Sequence, residues 1–183
     1  EREVAVEEHV AFDMDEARAI DSVNHWAATP LPLSACCHVD GALHVRLSGA
    51  SPAVAAAQHK LGGESVADGA SFWQSVREQT HPFFAGASAL WRLSIKPTTA
   101  ALGLGPQLIE WNGSLHWVKT DLDPARIFEA AEKAGGHATL FRGGDKRLGI
   151  QRLPPRLVAV HRKLKRALDP AGILGPGRIH ADF

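Results

Sequence analysis

The chain has 183 residues, 45% hydrophobic and 22% charged, with twenty basic residues balancing twenty acidic ones. Its length and composition suit a globular domain of ordinary size. Zero formal net charge argues against nucleic acid or an anionic membrane as the main partner, which would call for a basic excess. No apolar stretch is long enough to span a bilayer, and no signal-peptide pattern opens the sequence. The first residue is Glu1 and the only methionine is Met14, so the sequence is expected to be a piece of a longer chain.

In chain order, Val4–Phe12 alternates like a strand, and Asp15–Trp26 carries Ala19, Ile20, Val23 and Trp26 at helical spacing. A repeat then becomes visible. The segments CCHVDGALHVRLSGASPAVAAAQHKLGG (36–63) and LIEWNGSLHWVKTDLDPARIFEAAEKAGG (108–136) share their punctuation. Asp40-Gly41 pairs with Asn112-Gly113, Leu43-His44 with Leu115-His116, Pro52 with Pro124, and Gly62-Gly63 with Gly135-Gly136. Each copy reads as a hairpin and a helix. Asp-Gly or Asn-Gly between apolar runs predicts a type I′ turn, which needs positive φ at both central residues. Ser51-Pro52 and Asp123-Pro124 place a capping residue before a proline at the first helical position. The double glycine stops the helix. The shared Leu-His pair is expected to reflect a common structural role, so neither His44 nor His116 is a site candidate.

A strand is expected after each double glycine, at Glu64–Val66 and His137–Arg142, and Ala89–Ile95 is expected to be a strand preceding the second hairpin. A short helix near Thr98–Leu102 would complete the second half, and Ser71–Thr80 would link the halves as a helix. The predicted fold is therefore α+β, with duplicated ferredoxin-like βαββαβ halves at about 1–68 and 88–145. A polar loop, GGDKRLG, follows. Pro155–Leu168 forms a closing helix with Leu157, Val160, His161, Leu164 and Leu168 on one face, and a turn-rich tail ends the chain. Adjacent Cys36 and Cys37 read as reduced strand cysteines, since a vicinal disulfide is strained. With no CxxC, this chain does not supply the four thiolates of an iron–sulfur cluster.

The tail KRALDPAGILGPGRI (165–179) resembles the C-terminal end of FAD-linked oxidases of the vanillyl-alcohol oxidase type. LGGESV (61–66), FWQSVREQTHPFF (72–84), LWRLSIKP (90–97), QLIEWNGSLHWVK (107–119) and GGHATLFRGGD (135–145) resemble the FAD-binding subunits of bacterial glycolate oxidase. That resemblance implies a C-terminal cap or substrate domain whose FAD is bound mainly by a domain upstream of residue 1. It implies oxidation of glycolate to glyoxylate, with hydride transfer to flavin. It also implies a complex with a homologous flavin subunit and an iron–sulfur subunit, cytoplasmic and carried to the inner membrane by its partners. The fragment alone is not expected to turn over.

Such chemistry needs a cation for the substrate carboxylate and a base for its hydroxyl proton. Arg92 and Arg142 are the candidates for substrate binding, His137 for the base, and Arg178 for a flavin contact. Gly175 stands where many relatives have Asn, which removes a side chain that could touch flavin. No second histidine follows His137, so a metal-assisted site is not expected. There is no GxGxxG or Walker-type loop. Two other readings stay open: a non-catalytic scaffold or electron-relay subunit, and a ferredoxin-like module that binds a small ligand.

Overall fold

A computed structural model describes residues 6–86, 88–145 and 147–177. Eight strands form one antiparallel sheet: β1 (Val6–Asp13), β2 (Leu33–Val39), β3 (Ala42–Gly49), β4 (Glu64–Ser65), β5 (Leu90–Ser94), β6 (Gln107–Glu110), β7 (Leu115–Lys119) and β8 (His137–Arg142). Their spatial order is β4-β1-β3-β2-β6-β7-β5-β8. The sequence halves lie side by side and meet where β2 pairs with β6, Cys37 opposite Glu110 and His38 opposite Ile109.

Three helices cover one face: α1 (Glu16–Ala27), α2 (Ser51–Leu61) and α4 (Pro124–Lys133). Their positions follow from the sequence pattern. Asp15 caps α1 by accepting from the Arg18 N–H at 2.8 Å, and the buried Ala19, Ile20 and Val23 lie on one side. Under α1 and α2 lie Val10, Leu43, Val45 and Leu47. Under α4, whose Ile127 and Ala131 are fully buried, lie Trp91, Leu93, Val118 and Ala138. Asp123 caps α4 through the Ala125 N–H at 2.8 Å.

Among the described residues, the opposite face is covered in its middle. Helix α3 (Gly69–Arg77) and the 3-10 turn Pro82–Phe84 place Val76, Phe83 and Phe84 over Cys37, Val39, Leu90, Leu108 and Leu115. Burying the two phenylalanines contributes about 1.5–3 kcal/mol each. Gly69 allows α3 to sit this low, because a Cβ there would fall 2.1 Å from Cγ of His9. Arg142 ties the end of this segment to β8, donating to Oε1 of Gln79 at 2.8 Å and to the Phe84 carbonyl at 3.4 Å. Helix α5 (Pro155–Leu168) buries none of its residues. Leu157, Val160, Leu164 and Leu168 are all exposed along it.

Several expectations change. Residues 98–102 form no helix. The segment is short, carries two β-branched threonines, and lies between Pro97 and Gly103, which disfavours helix. Ser51 does not cap α2; Ala50 occupies that position and makes no side-chain bond. The first hairpin has the expected two-residue turn, with φ of 52° at Asp40 and 80° at Gly41. The second does not. Glu110 pairs with Leu115, which leaves a four-residue loop, and Trp111, Asn112 and Gly113 all have positive φ.

The pairing register is nevertheless the same in the two copies, since Glu110 opposite Leu115 corresponds to His38 opposite Leu43, but the whole second hairpin turns its opposite face to the helices. Leu43 lies on the helix-covered face and His44 on the other, stacked on Phe72 with ring centroids 3.9 Å apart. In the second half Leu115 lies against the α3 side, while His116 turns inward and is fully buried. The Leu-His pair therefore does not serve one structural role. Among the described residues, the two halves share a strand order read outward from the seam, but they do not match residue for residue.

Candidate functional site

Beside α3 the uncovered sheet face forms a cavity of about 760 Å³ spanning the seam. Alternation decides what faces it. Residues directly opposite each other on neighbouring strands share a face. His9 pairs with Arg46 in the first half and Arg92 with Trp117 in the second, and all four line the cavity.

Arg92 is half-buried and held between two indoles, its Cζ 5.6 Å from the Trp111 ring and 6.0 Å from that of Trp117. Among the described residues its guanidinium makes no hydrogen bond and no ion pair, so its forked donors are available to an anion. Cation–π contact orients the group while leaving those donors unused. Glu110 lies in the same cavity and accepts from Nε1 of Trp117 at 2.8 Å. Burial pushes its carboxyl above the usual range, while the Trp117 bond and the nearby Arg92 charge pull the other way.

Trp111 is the cavity's exposed wall, at 63% of its surface, and it holds φ of 52°. An L-residue that is not glycine pays about 1–2 kcal/mol for this left-handed conformation. The first half supports the loop that imposes it. The Cys36 thiol donates to Oδ1 of Asn112 at 3.1 Å and accepts the Asn112 N–H at 3.2 Å. Asn24 donates to the Pro97 carbonyl at 2.9 Å. Gly113 passes so close to that carbonyl that a Cβ would fall 2.4 Å from it. Burial raises the Cys36 pKa to about 11, and Cys37 is also raised, so both stay thiols.

Of the residues singled out from sequence, only Arg92 lines this cavity. His137 is exposed on the edge strand β8, opposite Ser94. It shares the face of Arg92 as its diagonal neighbour, about 7–8 Å away between Cα atoms. Arg142 is bound to the α3 segment and does not reach the cavity. Arg178 lies outside the described residues. Sequence reasoning missed Glu110, Arg46, His9 and Trp73. Glu110 could have been found as a carboxyl entering a hairpin beside a tryptophan, but the others are joined only by strand pairing and by the return of α3.

The donor set suits a carboxylate. An aromatic, arginine-bearing sheet face also suits one side of a flavin ring, but the described residues include no glycine-rich loop opening a helix to hold a pyrophosphate.

Residues 146–179 match the family described as FAD linked oxidases, C-terminal domain. Among curated proteins the chain is similar to "Glycolate oxidase subunit GlcE" of Escherichia coli (strain K12), 42% identical over 166 residues. That match covers 90% of this chain and 46% of the relative, so the chain spans about half the length of that protein. No solved structure matches.

Proposed function

We propose that this chain, which carries the C-terminal signature of FAD linked oxidases, is the substrate-side part of a flavin-dependent 2-hydroxy-acid oxidoreductase subunit that oxidises glycolate to glyoxylate. The observation that carries this reading is the unpaired guanidinium of Arg92, held between Trp111 and Trp117 in a cavity that also holds a carboxyl. In the reaction Arg92 binds the substrate carboxylate through paired N–H donors. Cation–π contact with the indoles holds the guanidinium in place for that pair. The hydroxyl proton passes to Oε of Glu110. It lines the cavity with Arg92, whereas His137 lies on the edge strand outside the lining. FAD, when bound, supplies the hydride acceptor.

The rest of a longer chain would hold most of the FAD, and its surface is the natural cover for the exposed apolar side of α5. A homologous flavin subunit and an iron–sulfur subunit complete the proposed enzyme. They would also bring it to the inner membrane, since no described helix is long and apolar enough to cross one.

The test is kinetic, on the full-length protein with its partners. Arg92→Ala should raise the KM for glycolate by about tenfold or more, from loss of hydrogen bonds to a charged group. An unchanged KM removes Arg92 from the site. Glu110→Gln, which keeps an acceptor for Trp117, should lower kcat and abolish the acidic limb of its pH profile. A full-length protein that purifies without flavin absorbance would overturn the reading as a whole and favour a scaffold.

A further inference from the structure

The far end of the same cavity holds a second set of unused donors, in the first half of the sheet. Arg46 projects from β3, and its Nε donates to Oγ of Ser34 at 2.9 Å. Its Cζ lies 5.7 Å from the Trp73 ring. Among the described residues it has no carboxylate partner, and its two terminal amino groups make no hydrogen bond. Beside it is His9, its cross-strand partner. Nε1 of Trp73 donates to Nδ1 of His9 at 2.7 Å. Nδ1 is therefore the acceptor, and the ring carries its proton on Nε2, which makes no hydrogen bond among the described residues. Gly69 packs directly on this imidazole, where any Cβ would collide, so helix α3 fixes the ring's place. Glu7, the nearby rim carboxylate, accepts from Ser48 at 3.4 Å.

We propose that Arg46 and His9, oriented by Trp73 and Ser34, form a second oxyanion subsite, for a carboxylate or a phosphate ester. One small 2-hydroxy acid cannot fill both subsites. Strands β3 and β5 are separated by β2, β6 and β7, so their axes lie about 19 Å apart at the usual strand spacing. The anion at Arg46 therefore belongs to a second group: the distal end of a longer ligand or part of a separate molecule. The geometry stands on Arg46, His9 and Trp73 and does not depend on the role given to Arg92.

Calorimetric titration of the full-length protein with inorganic phosphate, at fixed ionic strength, tests this. Arg46→Gln should weaken phosphate binding by about tenfold or more, since it removes bonds from a charged donor. Arg126→Gln, exposed on α4 over the other face of the sheet, should leave that affinity within about twofold of wild type, the additivity expected of distant sites. Trp73→Phe keeps an aromatic ring but frees His9, and should weaken phosphate binding by a smaller factor. Unchanged affinity in Arg46→Gln, or equal losses in the Arg46 and Arg126 variants, would overturn the subsite. Two further readouts separate the sources. Loss of bound flavin in Arg46→Gln assigns the anion to the cofactor. Retained flavin, with a raised KM for a 2-hydroxy acid bearing a distal carboxylate and an unchanged KM for glycolate, assigns it to substrate. Glycolate turnover in Arg92→Ala is read independently, so either proposal can fail without the other.

Discussion

The two halves of the sheet differ most where their hairpins turn. The first closes through Asp40-Gly41, two residues that tolerate positive φ at little cost. The second spends four residues, puts a tryptophan in a left-handed conformation and braces it with Cys36 and Asn24 from the other half. The outcome also differs. The first half offers Arg46 and His9, with α3 packed over them. The second offers Arg92 between indoles, with Glu110 beside it. Similar strand order thus frames two unlike ends of one cavity, because the two hairpins turn opposite faces to the helices. Strain at Trp111 fits the general pattern in which costly backbone is retained near ligand sites.

The broadest challenge to this comparison asks whether the halves are separate units at all. Leu47 and Leu93 are both fully buried, one under each helix group. Replacing either with Ala should cost about 2–5 kcal/mol. Because one continuous sheet joins the halves, both variants should lower a single transition in denaturant titrations followed by circular dichroism and by tryptophan fluorescence. Transitions that separate by probe would show that the halves unfold independently.

The paired histidines give the next largest effect. Nε2 of His116 donates to the Gly113 carbonyl at 3.0 Å, its Nδ1 lies 2.9 Å from Oε1 of Gln107, and burial lowers its pKa to about 4 against the pull of the Gly113 bond. A folded-state pKa below the ordinary 6.5 means that the neutral ring's contribution is complete above pH 6.5. It is lost as pH falls through about 4. That loss is on the order of 3 kcal/mol at 1.4 kcal/mol per pKa unit. His44, half-buried beside Phe72, is shifted the same way by burial and by the neighbouring His81 and His38. Denaturation midpoints measured from pH 7 to pH 4 should show His116→Phe flattening the acid slope more than His44→Phe. Equal slopes would contradict the reversed faces of β3 and β7.

Gly69→Ala should destabilise by about 1–3 kcal/mol, the usual range for overpacking, because the new methyl meets the His9 ring. A thermal midpoint equal to wild type would show that α3 rides free of the first half. The smallest effect is of opposite sign. Trp111→Asn should stabilise by up to about 1 kcal/mol, since Asn visits the left-handed region more readily, while removing one wall from Arg92. A thermal gain together with weaker glycolate binding would confirm that the tryptophan is retained for the site at the expense of stability.

Much of the local structure was legible in the sequence because its causes are local. Asp123 caps α4 as its place before Pro124 predicts, helical spacing marks α1 and α5, and β8 was placed residue for residue. Arg92 was legible as a strand arginine beside a tryptophan. The partner of Arg142 was not legible, because only tertiary contact brings Gln79, 63 residues away, to its guanidinium. The helix expected at 98–102 failed where proline, glycine and β-branched residues outweighed analogy between the repeats.

By itself, then, the sequence determined the element order, the caps, the repeat punctuation and the presence of an arginine suited to a carboxylate. Those depend on neighbours a few residues away. Tertiary structure decided which side chains meet. The two hairpins share their pairing register yet turn opposite faces to the helices, which the shared punctuation does not announce, and the cavity draws on strands from both halves plus a returning helix. His9, Arg46 and Trp73 are up to 64 residues apart along the chain and share no periodicity. They converge because strand pairing sets His9 against Arg46, and because a glycine lets α3 lie on the ring between them.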